Sequence, residues 1–497
     1  MTVVASPTHV ATVSGAGVSL RSRIVSAGAW SLGSYAGSQI IRLGSSLVMT
    51  RLLMPEAYGL YTLVTTYTAG MIMFSDLGLG AYLLQSEKSH DQAFADGIWS
   101  LSALRGVAVW LAGLALAWPM ARFYHEPRLL PLLATASLGL AFAAIQSTKL
   151  VTANRDLKQK WLAIFNIVHL AVGLVILIAL GWWFRSVWAL VIGGLVNEVI
   201  RAVGSQLVFP GPRNHWRWDP HIAKELRNFS TWIYLSSMLT FLGSQADRLI
   251  LGKVMPLEFL GLYGVSMSFA LLPLALIQQG SVLLSPVIVQ LRHRNDPSIQ
   301  EKLQQFRRLL LKVGSIMVAL MCVSSPAFYG FLYDARYHQA GIIAALLGLS
   351  IWTSVLAASV DGILMAFGDA KSQAGVAASR VLGAAGGILL GYWIGGPYGL
   401  ILGAAATGLA TYLAVCAALR RWRIAIGWSD GVFALDCLAY AATGWSAVAA
   451  LHYGPVRCPL PVASALAATA LGIVIALRER RAIGRLVGLA SERFGRC

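Results

Sequence analysis

Long apolar runs alternate with short polar breaks along almost the whole chain. Each run is about 20 residues, the length that crosses a bilayer core of about 30 Å as a helix. Fourteen can be placed, at 27–50, 58–84, 94–120, 129–151, 161–184, 186–208, 229–252, 262–290, 310–333, 339–366, 372–395, 398–419, 431–453 and 459–477. The second and eighth are long enough to tilt or to reach past the bilayer. None shows the period-2 alternation over shorter segments that marks a membrane barrel. The pattern predicts an all-α polytopic membrane protein with about 14 transmembrane helices.

The pattern also repeats in detail. Residues 51–61 read Arg-Leu-Leu-Met-Pro-Glu-Ala-Tyr-Gly-Leu-Tyr, and residues 253–263 read Lys-Val-Met-Pro-Leu-Glu-Phe-Leu-Gly-Leu-Tyr. Gly59 and Gly261 are 202 residues apart. Asp156-Leu-Lys158 recurs as Asp369-Ala-Lys371, and Trp188-Ala-Leu-Val-Ile-Gly193 recurs as Tyr398-Gly-Leu-Ile-Leu-Gly403, at offsets of 213 and 210. Two six-helix bundles in parallel repeat follow, because an even number of helices returns the chain to the same side before the second copy begins. A cavity between halves related in this way can open to either side, which is the usual plan of a transporter with its site where the halves meet. The expected organisation is a cytoplasmic tail at 1–26, bundles at 27–209 and 229–420, a cytoplasmic linker at 210–228, an extra helix pair at 421–477 and a basic tail at 478–497.

Composition agrees with a membrane protein. Of the 497 residues, 57% are hydrophobic and only 12% charged, about half the charged fraction of a soluble protein. The net charge of +18 would suit nucleic acid, but its distribution points to membrane orientation. Of 39 Lys and Arg, 28 fall in the tails and the loops after even-numbered runs, seven fall on the opposite side, and four lie inside runs. That asymmetry predicts cytoplasmic termini and attraction of the basic segments to anionic lipid. No cleavable leader is evident, so the first run reads as a retained signal anchor.

The motifs of soluble chemistry are missing. There is no Gly-x-x-x-x-Gly-Lys-Ser/Thr loop, no His-Glu-x-x-His, no Gly-x-Ser-x-Gly and no Asp-x-Asp. Outer loops are too short for a catalytic domain. Cys322, Cys416, Cys437, Cys458 and Cys497 form no Cys-x-x-Cys pair and read as unpaired apolar side chains. No metal or cofactor is expected, and His169 reads as a hydrogen-bonded interior residue rather than a proton relay.

The remaining candidates are charges inside the runs, each costing about 2.5–3.5 kcal/mol at bilayer depth and therefore expected to face a cavity or a partner. Arg42 lies mid-run, with a cavity role or a structural ion pair as its two readings. Arg248, near the outer end of its run, allows a cavity role, snorkelling or a pair with Asp247. Arg380 and Arg105 lie about a third of the way along theirs. Asp76 suits ion coupling, capping or an interhelix bond. Asp361 sits nearly a turn inside its run, Glu198 precedes Arg201 by three residues, and Asp436 belongs to the extra pair. Four Arg and no Lys inside the runs favour an anionic ligand, since guanidinium stays charged and grips phosphate with a planar fork.

Several motifs resemble one family. Leu53-Met-Pro55-Glu-Ala-Tyr58-Gly59, then Phe74-Ser-Asp76-Leu-Gly78-Leu-Gly80 and Leu84-Gln85, is similar to the start of the oligosaccharide flippases. These are the Wzx-type polysaccharide exporters of the multidrug/oligosaccharidyl-lipid/polysaccharide superfamily, which have a MATE-like fold. Asn154-Arg155-Asp156-Leu-Lys158 resembles that family's basic loop after helix 4, and Asp247-Arg-Leu-Ile-Leu-Gly252 with Gly261-Leu-Tyr263 resembles its helix 7–8 junction. The resemblance covers the first twelve runs and departs at the extra pair, which only some members carry.

It implies an oligosaccharide repeat unit on a polyprenyl diphosphate, turned across the bacterial inner membrane for exopolysaccharide, capsule or O-antigen, with polysaccharide polymerase or export proteins as possible partners. Arg42, Arg248, Arg380 and Arg105 would neutralise the diphosphate. Asp76, Asp247, Asp361 and Glu198 are the ion-coupling or gating candidates, and Arg155 and Lys158 carry the cytoplasmic-loop motif. Alternating access would be driven by a proton or sodium gradient or by the membrane potential. Rival readings are a lipid II flippase or multidrug cation antiporter of the same superfamily, a membrane glycosyltransferase, polymerase or ligase, and a passive scaffold.

Overall fold

A computed structural model describes residues 20–86, 91–156, 158–281, 299–367, 370–421, 429–454 and 457–494. The chain folds into helices α1 (Leu20–Leu52), α2 (Pro55–Phe74), α3 (Leu79–Gln85), α4 (Gln92–Tyr124), α5 (Leu129–Ala144), α6 (Lys149–Arg155), α7 (Gln159–Phe184) and α8 (Val187–Leu207). They are followed by α9 (Pro220–Val254), α10 (Leu257–Ala270), α11 (Leu272–Ser281), α12 (Ile299–Leu332), α13 (Ala340–Phe367), α14 (Ala370–Gly403), α15 (Ala405–Arg420), α16 (Ser429–Tyr453) and α17 (Leu460–Phe494). No strand occurs among the described residues. Residues 1–19 of the expected 1–26 tail, the basic residues Arg292 and Arg294, and residues 422–428 lie outside them, and 20–26 of that tail belong to α1.

The repeated Met-Pro is a helix start in both copies. Pro55 opens α2 and Pro256 caps α10. Proline fits there because the first helical N–H groups have no internal partner. Glu56 and Glu258 then sit in the first turns, where a carboxylate complements the helix dipole. The Phe-Ser-Asp-Leu-Gly sequence is a helix break. Gly78 has φ +68°, Asp76 Oδ1 accepts the Gly78 N–H at 2.9 Å, and α3 starts at Leu79. The α5–α6 and α10–α11 pairs bend by 56° and 40°. Gly395, Gly396 and Pro397 interrupt α14.

In the first half α2, α4, α5, α7 and α8 pack together, with α1 on α7. In the second, α9 packs on α14, α14 on α15, α15 on α13, and α13 on α12 and α10. The halves meet where α2 lies against α9 and α10. One apolar core runs through this contact, from Leu60 and Leu63 through Leu260 and Tyr263 to Tyr329 and Val355.

Helices cover all fourteen expected stretches as far as they are described, but eight are long and apolar enough to cross a membrane, or up to ten if each bent pair is one span. The helices below that threshold include α1, α2 and α9. These are rich in Ser, Thr, Gln and Tyr, and Thr62 and Thr66 of α2 are buried, so polar positions turned into the protein lower their average hydropathy. α9 begins at Pro220, which makes the second part of the expected 210–228 linker helical.

The first part of that linker is strapped to the first half. Asn214 accepts from the Ser147 hydroxyl and the Thr148 N–H at 2.7 and 3.1 Å, and donates to Asp96 Oδ1 at 3.2 Å. The Lys149 ammonium donates to the carbonyls of Gln206, Phe209 and Gly211.

The extra pair α16–α17 docks on α12. Ser464 donates to the Val323 carbonyl and accepts the Ala327 N–H, bridging the rung next to Pro326 in the α12 hydrogen-bond ladder. Arg307 on α12 is buried against Asp430 at the start of α16. Tyr412 donates to the same carboxylate, and Arg307 also donates to Ser359 at 3.2 Å. Four helices thus converge on one buried ion pair.

Candidate functional site

A cavity of about 560 Å³ opens inside the second half, walled by α9, α10, α11, α13, α14 and α15. It gathers three of the intramembrane charges singled out by sequence. Asp247 comes from α9, Asp361 from α13 and Arg380 from α14. Gly243 on α9 makes room for Arg380, because a Cβ there would lie 2.7 Å from the arginine Cγ. Arg380 lies within electrostatic reach of Asp361, and Asp247 accepts a hydrogen bond from the Tyr263 hydroxyl. Gln278, Ser350, Thr407 and Thr411 add neutral polar groups to the wall. Two carboxylates, one guanidinium and several hydroxyls form a site for a small polar or charged species held away from lipid.

The other arginines lie elsewhere. Arg42 on α1 is exposed and within electrostatic reach of Tyr61 on α2 and His169 on α7. Arg248 is partly buried, donates to Gln245 at 2.7 Å, lies within reach of Tyr263 and leaves its Nε without a hydrogen-bond partner. Each motif tyrosine, Tyr61 and Tyr263, therefore has an arginine near it. Among the described residues, none of Arg42, Arg105, Arg248 and Arg380 makes a salt bridge to a carboxylate.

Arg105 and Asp76 come together at the α2–α3 break. Arg105 donates to the Ser75 carbonyl at 3.2 Å and lies within reach of Asp76, and Asp76 Oδ2 accepts from Ser237 of α9 at 3.1 Å. Asp76 thus caps a turn and bonds between helices at once. Glu198 accepts from Gln146 at 3.0 Å and lies within reach of Arg201. His169 binds the Phe165 carbonyl through Nδ1 at 3.1 Å and stacks on the Phe165 ring. Asp436 pairs with Arg478 at 3.3 Å. In the loop motif, Arg155 and Lys158 both pair with Asp156 at 3.3 Å. Cys322, Cys416, Cys437 and Cys458 are free thiols.

Sequence reasoning missed two features. Arg307 looked like a loop cation, and its partner Asp430 carried no signal beyond its place at a helix start. Tyr263 stood in the repeat with no role, and only the turn of α10 brings it to Asp247.

Known proteins share both sequence and fold. The profile of the polysaccharide biosynthesis protein family matches residues 48–342. The chain is 22% identical to the succinoglycan biosynthesis transport protein ExoT of Rhizobium meliloti, over 93% of this chain and 95% of that one. It is 23% identical to the lipopolysaccharide biosynthesis protein WzxC of Escherichia coli, over 66% and 67%. Among solved structures, the lipid II flippase MurJ in an inward closed conformation superposes with TM-score 0.66 at 12% identity, covering 91% of this chain and 99% of that one. An inward-facing MATE-family multidrug resistance transporter of the MOP superfamily gives 0.60 at 14% identity, covering 78% and 94%. The fold is thus MATE-like. With a match that spans more than half its length, this multi-pass membrane protein belongs to the polysaccharide biosynthesis protein family.

Proposed function

We propose that the chain is a flippase that carries oligosaccharide repeat units linked to a polyprenyl diphosphate from the cytoplasmic to the outer leaflet of a bacterial inner membrane. In this reading all fourteen helical stretches cross the membrane, both termini are cytoplasmic, and the two bundles alternate access around the path between them. The observation that carries the proposal is the set of four intramembrane arginines with no carboxylate in salt-bridge contact. Arg380 and Arg105 still lie within reach of Asp361 and Asp76, so Arg42 and Arg248 are the cations that best suit a ligand bringing its own negative charge. A diphosphate does so, and its prenyl tail stays in lipid between helices. Arg42 and Arg248, each beside a motif tyrosine, are the first diphosphate ligands. Asp247 and Asp361, in a cavity with Arg380, take the ion-coupling role. Asp76 and Glu198, each engaged with a neighbouring side chain, act in gating.

Names of relatives support the same substrate class: succinoglycan transport for one and lipopolysaccharide biosynthesis for another. The test is deletion of the gene in its host, complemented by wild type, Arg42→Ala or Arg248→Ala at matched membrane abundance. Complete lipid-linked units are expected to accumulate on the cytoplasmic side while secretion stops, and Arg42→Ala is expected to fail to restore it. Units that reach the outer side and stay unpolymerised would overturn the flippase reading in favour of a polymerase.

A further inference from the structure

The duplicated motif has a place in the fold that its sequence does not assign. The first turns of α2 and α10 lie directly against each other. A Cβ on Gly59 would run into the carbonyl oxygen of Leu257, and a Cβ on Gly261 would run into that of Pro55 and come 2.9 Å from the Gly59 nitrogen. The contact is reciprocal: the glycine of each copy receives the start of the other helix, an approach that only a residue without a Cβ permits. A turn deeper, Gly264 faces Thr62, with 3.5 Å between its Cβ position and the Thr62 Cβ.

In the orientation read from the charge asymmetry, the starts of α2 and α10 fall on the side opposite the basic loops. Other bonds join the halves at this end. Lys253 donates to the Phe123 carbonyl and lies 2.9 Å from His125 Nδ1. The Tyr337 hydroxyl donates to the Leu53 carbonyl at 2.9 Å, and Arg336 donates to the Arg51 carbonyl at 3.3 Å. The last residue of each motif leads inward to charge, Tyr263 to Asp247 and Tyr61 to the neighbourhood of Arg42.

We propose that the two Met-Pro…Gly-Leu-Tyr motifs are the two faces of the outer seal of the transport path, held shut by the reciprocal contact of Gly59 and Gly261 and opened when α2 and α10 part. This rests on the flippase reading and its orientation. Backbone-to-backbone packing gives the seal a short range, so a small rotation of one half breaks it, while the tyrosines tie its position to the charged groups beneath.

A disulfide across the seam tests it. The 3.5 Å separation lies at the close edge of the disulfide range of about 3.5–4.5 Å between Cβ atoms. The Thr62→Cys/Gly264→Cys protein should secrete polysaccharide when reduced. When oxidised it should lose at least about tenfold of that secretion, with lipid-linked units held on the cytoplasmic side and recovery on reduction. A pair that does not oxidise, or that oxidises and still secretes, overturns the proposal.

A second readout does not depend on transport. Thr62→Cys should be shielded from a membrane-impermeant maleimide added outside, and Gly59→Ala or Gly261→Ala should raise its labelling several-fold above the background of the native cysteines. Equal labelling with and without the alanine overturns the seal. If deletion of the gene leaves units on the outer side while labelling still responds to Gly59→Ala, the flippase reading fails and the moving seam survives.

Discussion

The two halves share a framework and differ in where they keep their charge. In the second, Asp247, Asp361 and Arg380 converge on one cavity from three helices. In the first the charges form separate nodes: Arg42 exposed on α1, Arg105 with Asp76 at the α2–α3 break, and Glu198 with Gln146 and Arg201. What the duplication kept is backbone geometry. Met-Pro starts the helix, and Gly-Leu-Tyr lets the copies touch, so a change in either copy is felt by both. The charges face different surroundings in each half. In the proposed transport cycle the ion site sits in the second bundle, while Arg42 of the first and Arg248 of the second meet the diphosphate.

The largest effect should therefore fall in the second-half cavity. Arg380→Ala removes the cation within reach of Asp361 in that cavity. An uncompensated charge at bilayer depth costs about 2.5–3.5 kcal/mol, on the order of a hundredfold in rate. Secretion at matched abundance should fall by that order, whereas Arg105→Ala, which removes one bond to the Ser75 carbonyl, should lose only several-fold. The reverse order would break the comparison.

Next comes stability. Arg307 and Asp430 are each 7% exposed in their side chains. Removing one partner strands a buried charge, so Arg307→Ala should cost about 3–5 kcal/mol, read as a lowered Tm in detergent. Arg155→Ala, whose pair with Asp156 is 21% and 29% exposed, should cost below about 1 kcal/mol. In the first half the comparable device is neutral. Asn214→Ala removes the hub of the strap and should cost about 1–3 kcal/mol, with faster proteolysis at 209–219 as the readout.

The smallest effect lies on the outer surface. Hydrogen bonds from Arg128 hold the Glu126 carboxyl below the usual carboxylate range. A depressed pKa contributes stability above the unfolded value, lost as pH falls through the folded value. Arg128 is 54% exposed, so Arg128→Ala should lower stability by less than about 1 kcal/mol at neutral pH. The difference from wild type should vanish once the carboxylates are protonated. A constant difference down to acid pH would place the role of Arg128 in packing instead.

Much of this was legible in the chain because it follows local rules. A run of about 20 apolar residues must be a helix in a bilayer, and a Met-Pro followed by Glu suits a helix start. The breaks at Ser75–Gly78 and Leu271 were not foreseen, because runs 58–84 and 262–290 read as single long helices where the structure has two each as far as described. The repeat was visible because two copies of one backbone arrangement need the same glycine. The buried pair of Arg307 and Asp430 was not legible: 123 residues separate them, and nothing in either neighbourhood marks a charge as paired rather than solvated. The cavity was half legible. Its charges were on the list, but depth along a helix says nothing about rotation around it, and rotation brought Asp247, Asp361 and Arg380 together and sent Arg42 elsewhere.

The sequence by itself determined the class, the helices, the duplication and the chemical character of the intramembrane charges, because hydropathy and helix starts act within a few residues. Tertiary structure alone decided that Gly59 meets Gly261, that Tyr263 finds Asp247, and that the extra pair is fastened to α12 by a buried charge. Those outcomes depend on how helices pack and turn against one another across hundreds of residues, and no short stretch of sequence encodes the angle.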